Sequence, residues 1–353
     1  MRLTQLETPA LIMDLDVFEE NIKTMKNFLK TTGLALRPHY KSHKSTVIAH
    51  RQIAEGAKGI TCAKLSEAED LANSGIEDIL IANQIVEPAK IARAAYLAGC
   101  CYLTICVDNR DNIHALENAA SSQGTTIHCL VEYEVGMNRC GVERFEKFYE
   151  LAELISKCPH LFFEGIQAYA GQLSHEVDYE YRKSEVERIE KRIAELRNYL
   201  EQRGLQVKEI SGVSTGTVEF RKEGSVYTEI QAGSYIFMDE AYNSLNLHFK
   251  NSLFVLTTVI STNSNLIVAD AGKKSVSVDQ SNPVFREFPL CPVDMSEEHI
   301  AISIKDHNIT LGNKLMLIPG HCCTTVNLHS HIYLVRNGRI EDKIPVTSRG
   351  KSL

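Results

Sequence analysis

Eight short apolar runs, each followed by a polar turn and an amphipathic stretch, organise the first two thirds of the chain. They lie at residues 34–38, 59–63, 78–82, 102–107, 126–132, 161–168, 207–212 and 227–231. Runs this short read as buried strands. Strand followed by helix, repeated, implies a parallel sheet, because parallel neighbours need a crossover between them. Eight such units within about 200 residues match the size of a (β/α)8 TIM barrel. A doubly wound open sheet of the same strands is the second choice.

The clearest helix follows Tyr179. There Val186, Ile189, Ile193, Leu196 and Leu200 mark one face, and Glu, Lys and Arg fill the rest as a solvated outer surface. Ahead of the first barrel strand, residues 8–14 read as another strand. Asp16 then reads as the N-cap of a helix carrying Phe18, Ile22, Met25 and Leu29, and Gly33 as its end.

After Gly233 the pattern changes. Residues 252–261, 265–269, 275–278, 300–304, 314–318 and 332–335 are rich in Val, Ile and Thr and separated by Asn, Gly, Asp and Pro, which predicts an all-β second domain. The N-terminal strand has no slot among the eight and goes with that domain. The expected division is a barrel over 14–235 and a β domain made of 1–13 plus 236–353.

At 353 residues the chain exceeds the usual single core, in keeping with two domains. A net charge of -7 leaves no electrostatic footprint for nucleic acid. No apolar run is long enough to span a bilayer, and the N-terminus lacks a signal-peptide core, so a cytoplasmic location is expected. The ten cysteines are scattered through apolar segments rather than spaced as a disulfide framework. Cys100 with Cys101 and Cys322 with Cys323 are sequence neighbours, a poor geometry for pairing.

The chemistry starts where the first barrel strand ends. Arg37, His39, Lys41, His43 and Lys44 put five basic side chains into eight residues, a costly cluster at the edge of a core. Such a cluster suits an anion or an electrophile, and a lysine among other cations loses proton affinity and gains nucleophilicity. Active sites of barrels lie at the C-terminal ends of the strands, which is where Lys41 falls. Arg139 follows the fifth strand, and Tyr169 with Gln172 follows the sixth. Thr215, Gly216 and Thr217 follow the seventh, and Gly233, Ser234 and Tyr235 end the eighth. Small hydroxyl residues and glycines there can offer N–H groups to a phosphate. A phosphate cradle opposite a cation-flanked lysine describes a pocket for pyridoxal 5'-phosphate.

The Arg37-Pro38-His39-Tyr40-Lys41-Ser42-His43-Lys44 stretch, Gly136-Met137-Asn138-Arg139-Cys140-Gly141-Val142, the segment from Gly233 to Asp239, and Pro319-Gly320-His321-Cys322-Cys323-Thr324-Thr325-Val326-Asn327 carry a resemblance over nearly the whole chain. In this order they resemble the D-threonine aldolase and D-serine dehydratase family of alanine-racemase-like enzymes. The resemblance implies fold type III, with pyridoxal phosphate on Lys41 rather than Lys44 and Arg139 near the cofactor's phenolic oxygen. It also implies a homodimer, and a divalent ion held beside the cofactor by His321 and Cys323. From the residues alone, imidazole plus thiolate two positions apart on a strand-like segment project to one side and suit Zn2+ better than Mg2+, with Mn2+ a further option. His39, His43, His329 and His331 lie near these motifs, with no side assigned to them.

The expected activity is a lyase acting on small D-β-hydroxy-α-amino acids, with no nucleic-acid or membrane partner. It would work either by β-elimination or by retro-aldol cleavage, the thiolate leaning towards elimination by the resemblance. An amino-acid racemase, a non-catalytic cofactor carrier and a metal-only barrel hydrolase are the competing expectations.

Overall fold

The computed structural model describes residues 1–305 and 307–353. The chain divides into two compact units. One holds Met1–Met25, Ser42–Val47 and Ser234–Gly350, the other Lys26–Lys41, Ile48–Gly233 and Lys351–Leu353.

Two elements precede the repeat: β1 (Ala10–Asp14) and α1 (Leu15–Thr32). The repeat itself runs β2 (Ala35–Leu36), α2 (Thr46–Ala54), β3 (Ile60–Cys62), α3 (Leu65–Asn73), β4 (Asp78–Ile81), α4 (Pro88–Leu97), β5 (Tyr102–Val107), α5 (Arg110–Gln123) and β6 (Ile127–Glu132). It continues through α6 (Phe145–Lys157), β7 (Leu161–Ala168), α7 (Tyr179–Glu201), β8 (Glu209–Gly212) and β9 (Glu229–Ile230). All eight expected strands are present, paired in parallel in the order β2-β9-β8-β7-β6-β5-β4-β3. Between the outer strands Lys58 N donates to Leu36 O at 2.8 Å and Thr61 N to Pro38 O at 3.0 Å, which joins the two ends of the sheet.

Leu80, Cys106 and Leu130, from β4, β5 and β6, form one buried cluster inside this sheet. Burial of a side chain such as Leu80 contributes about 1.5–3 kcal/mol. α7 buries Val186, Ile189, Ile193, Leu196 and Leu200 as its spacing predicts, and Asp178 caps it by accepting from Tyr181 N. α1 starts differently from expectation. Asp14, not Asp16, is the cap, because its Oδ1 accepts the N–H groups of Asp16 and Val17.

The second unit carries α8 (Glu240–Asn243), β10 (Leu253–Asn263), β11 (Leu266–Ala269), β12 (Val284–Phe285), β13 (Val293–Met295), β14 (Ile300–Ser303), β15 (Lys314–Ile318), α9 (Cys322–Leu328), β16 (His331–Arg336) and β17 (Arg339–Pro345). Its sheet has the order β13-β14-β11-β10-β1-β16-β17, with β15 also paired to β10 and β12 to β15. β1 runs antiparallel to β10 and parallel to β16. Ala10, Ile12, Phe254, Leu256, Ile318 and Val335 form a core on this sheet.

Two expectations fail here. Residues 275–278 form no strand, because the N–H groups of Ser275 and Val276 both turn back to Gly272 O at 2.9 Å. The segment after His321 is helix α9 rather than strand-like; its Thr and Val content suggests a strand, but its start is held by the Asp239 carboxylate, which accepts Cys322 N at 2.8 Å.

Candidate active site

In the barrel unit the chain leaving β2 makes a 3-10 turn at Tyr40–Ser42 that carries Lys41. The turn is anchored by Tyr40, fully buried, whose hydroxyl donates to Asp70 at 3.2 Å. Lys41 N donates to His39 Nδ1 at 3.3 Å, so in the neutral ring the His39 proton sits on Nε2. His39 and Lys41 line a cleft of about 170 Å3 together with Asn83, Arg139, Gln167, Tyr169 and Gln231. The Lys41 Nζ lies 5.5 Å from the centroid of the Tyr169 ring and the Arg139 guanidinium carbon 5.8 Å from it. Lys41, Arg139 and Tyr169 thus come together, as the sequence predicts.

The loop bearing Arg139 is preformed. The Glu134 carboxylate accepts the N–H groups of Gly136 at 2.9 Å and Asn138 at 2.8 Å. Arg139 Nη2 stands 3.7 Å from Glu132 Oε1. Burial holds the Glu132 carboxyl above its ordinary value, against the opposing pull of Gln84 and Arg139. Gly171 permits the Tyr169 ring to lie where it does, since a Cβ there would sit 2.8 Å from Tyr169 Cε1 and 2.6 Å from Met137 Cε.

Thr215, Gly216 and Thr217 open a 3-10 segment (Thr215–Phe220) directly after β8, and all three are buried. The residue two before it, Val213, has φ 66°. A β-branched residue in the left-handed region is a strained backbone, of the kind that collects at ligand sites. Gly233 ends the barrel unit and is buried, whereas Ser234 and Tyr235 begin the second unit in the turn Ser234–Ile236. The Tyr235 ring packs on Phe249, with centroids 5.6 Å apart.

In the second unit His321 is the N-cap residue of α9 and Cys323 sits in its first turn. Both side chains face one another and share a hydrogen bond. The same-side placement holds, but a helix start rather than a strand produces it. Asp239 sets the geometry: one carboxylate oxygen accepts Tyr242 N and the other Cys322 N. Burial raises the Asp239 carboxyl to about 6 despite those hydrogen bonds. Gly320 is required by close approach, since a Cβ there would fall 1.7 Å from Ser281 O. Cys323 Sγ lies 3.6 Å from Ser42 Oγ and 3.8 Å from Ser234 Oγ, while Cys322 is fully buried.

Asp279 Oδ2 lies 2.9 Å from His321 Nδ1, and Thr324 donates to its other oxygen at 2.8 Å. Burial would raise Asp279, but Ser277, His321 and Thr324 outweigh it and hold the carboxyl at about 2. Burial lowers His321, yet Cys323 and Asp279 bring it up to about 9. Nδ1 therefore carries its proton towards Asp279, and Nε2 is the nitrogen left for a ligand. A carboxylate behind a histidine is how protein metal sites orient the ring. Imidazole and thiol sharing one proton are a donor pair from which a soft divalent ion can displace that proton. The pair fits a metal. Among the described residues no group of three or more His, Cys, Asp or Glu side chains is placed to hold a metal ion.

Sequence reasoning missed Gln167, Gln231 and Asp279. The two glutamines carried a signal, being polar residues inside apolar strand runs. Asp279 carried none, lying 42 residues from His321. Of the open histidines, His39 lines the cleft, His43 is fully buried and accepts Ser45 N, His329 bonds Ser275 O at 2.7 Å, and His331 is exposed.

Known proteins match this arrangement along its length. The alanine racemase N-terminal domain family matches residues 13–241, and a putative serine dehydratase domain matches 252–335. A 3-hydroxy-D-aspartate aldolase of Paracoccus denitrificans (strain Pd 1222) is 38% identical, over 99% of this chain and 93% of its own length. A D-threonine aldolase of an Arthrobacter species is also 38% identical, over 99% and 94%. The crystal structure of D-threonine aldolase from Filomicrobium marinum superimposes with a TM-score of 0.97 at 36% identity, covering 100% of this chain and 98% of the other. No described helix is long and apolar enough to cross a membrane. With an eight-stranded parallel barrel followed by a mixed-sheet unit, and with identity at this level from end to end, the chain belongs to the D-threonine aldolase and D-serine dehydratase family of alanine-racemase-fold lyases.

Proposed function

We propose that the protein is a pyridoxal-phosphate- and divalent-metal-dependent lyase that cleaves D-β-hydroxy-α-amino acids by a retro-aldol reaction. The observation that carries the choice of reaction is the 38% identity to two aldolases over 99% of the chain.

Lys41 is the proposed cofactor-bearing and catalytic residue, with Arg139 and Tyr169 beside it in the cleft. Thr215, Gly216 and Thr217, with Gly233, Ser234 and Tyr235, are the proposed phosphate-binding groups. When bound, the cofactor supplies an electron sink for charge developing at Cα. His321 and Cys323 are the proposed metal ligands, and the ion, Zn2+ by the softness of the donors, supplies a lowered pKa to a β-hydroxyl. Lys41 then has the proton work at Cα. The β-hydroxyl would give its proton to water, the Cα–Cβ bond would break to release an aldehyde, and Lys41 would give a proton to Cα to complete glycine. Tyr169 presents its aromatic face to the Lys41 ammonium, and the Arg139 guanidinium stands against the same ring. A cytoplasmic homodimer belongs to the same reading, and gel filtration with light scattering tests the dimer.

β-Elimination is the second reading, favoured by the Cys323 thiol and by the serine dehydratase match over the second unit. In that case Lys41 removes the Cα proton and hydroxide departs from Cβ, turning D-serine into pyruvate and ammonia. The deciding experiment offers D-threonine and D-serine to the protein loaded with pyridoxal phosphate and zinc or manganese. Glycine with acetaldehyde from D-threonine supports the first reading, and pyruvate from D-serine supports the second. Release of neither removes both.

A further inference from the structure

Beneath the Lys41 cleft a chain of buried polar groups runs through the barrel. Arg37 Nε lies 3.0 Å from both carboxylate oxygens of Glu229, and its Nη1 2.5 Å from Asp78 Oδ1. Ser211 Oγ donates to Glu229 Oε1 at 2.6 Å. Gln231 Nε2 lies 2.8 Å from Ser211 Oγ and 2.8 Å from Gln167 Oε1. Arg37, Glu229, Ser211, Gln231 and Gln167 are buried and Asp78 is half-buried, and Gln231 and Gln167 line the cleft.

The direction of each hydrogen bond follows from the charged end. A carboxylate gripped by a guanidinium is ionised and can only accept. The single Ser211 proton is therefore spent on Glu229, and Ser211 Oγ can only accept from Gln231. That fixes which end of the Gln231 amide is nitrogen. Both Nε2 protons are consumed, one by Ser211 and one by Gln167. The remaining Oε1 has only a long approach from Gln167 Nε2, at 3.5 Å.

We infer that Ser211 and Glu229 are positioning residues: anchored by Arg37, they lock the Gln231 amide so that the floor of the cleft offers a hydrogen-bond acceptor, Gln231 Oε1, to an N–H donor of the bound cofactor. Without the relay the amide can turn over, and the floor then presents a donor in place of the acceptor. The same anion, two hydrogen bonds away, polarises the amide and strengthens its oxygen as an acceptor. Glu229 thus acts on the bound molecule through Ser211 and Gln231 without touching it. The inference rests on the proposal that pyridoxal phosphate occupies this cleft.

Ser211→Ala tests it, because it removes one hydroxyl and leaves the Arg37–Glu229 pair in place. The readouts are cofactor affinity by fluorescence titration, the pH at which the absorption band of the bound cofactor changes, and the melting temperature. Ser211→Thr keeps the hydroxyl and serves as the rescue. The expected result is a three- to tenfold loss of cofactor affinity, roughly one neutral hydrogen bond, together with a displaced spectral pH midpoint, both recovered in Ser211→Thr. A lowered melting temperature with unchanged affinity and unchanged spectral midpoint would make Ser211 merely structural and overturn the inference. So would equal loss in Ser211→Thr and Ser211→Ala. Absence of any cofactor band in the unmodified protein is a separate outcome, and it overturns the cofactor proposal and this inference with it.

Discussion

Asp279 Oδ2 lies 2.9 Å from His321 Nδ1, and His321 also shares a hydrogen bond with Cys323. This relationship makes a lone His-x-Cys pair into an oriented donor set. Asp279→Asn keeps the shape and loses the charge. It is expected to weaken binding of a divalent ion by about 10–100-fold, measured by competition with a chromophoric chelator, with little change in the far-ultraviolet spectrum.

Cys323 offers sulfur where a carboxylate would serve harder ions. In Cys323→Asp the preference for zinc over manganese or magnesium should fall, since oxygen donors suit the harder ions. Dissociation constants for the three ions, measured on both proteins, check the ratio. An unchanged ratio would count against Cys323 as a ligand.

Lys41 and Lys44 are three residues apart, and Lys41 lines the cleft. Borohydride reduction of the cofactor-loaded protein followed by peptide mapping should mark Lys41. Lys41→Ala should lower turnover by on the order of 10²–10⁴. A label on Lys44 would move the assignment.

The Arg37–Glu229 pair gives a pH-dependent stability with a definite sign. Burial pushes the Glu229 carboxyl up, but Arg37, Ser211 and Lys58 outweigh it and hold it below its ordinary value. The folded state then binds fewer protons than the unfolded state in acid. The stabilisation is present above the unfolded carboxylate value and is lost as the pH falls through the lower, folded one. Arg37→Met leaves a buried carboxylate without its main partner and should cost about 3–5 kcal/mol. Urea denaturation at neutral pH and at successively lower pH should show the loss and a flatter acid dependence in the variant.

Gly320 has no room for a side chain against Ser281 O. Gly320→Ala must shift the backbone that leads into His321, at about 1–3 kcal/mol. A lower melting temperature with reduced metal content is the expected result; a fall in melting temperature alone would show that the shift does not reach His321.

The eight barrel strands were legible because each is a run of apolar residues whose partner lies one helix away, and local pattern decides both. The helix spacing after Tyr179 was legible for the same reason. Lys41, Arg139 and Tyr169 could be read as partners because each follows its own strand, and a barrel gathers strand ends.

What local pattern could not decide were places where a distant group sets the backbone. Residues 275–278 have strand composition but bond to Gly272 O, and α9 begins where Asp239, 83 residues away, accepts Cys322 N. Asp279 and the Arg37–Glu229–Ser211–Gln231 chain are likewise invisible in order along the sequence.

Local periodicity was therefore enough to specify a barrel, and the order of the motifs along the chain was enough to specify its family. The orientation of the imidazole, of the Gln231 amide and of the turn before Cys323 was decided only by tertiary structure. Each depends on a carboxylate that the fold sets against it: Asp279 on His321, Asp239 on Cys322, and Glu229 through Ser211 on Gln231, and an ionised carboxylate accepts hydrogen bonds but cannot donate them.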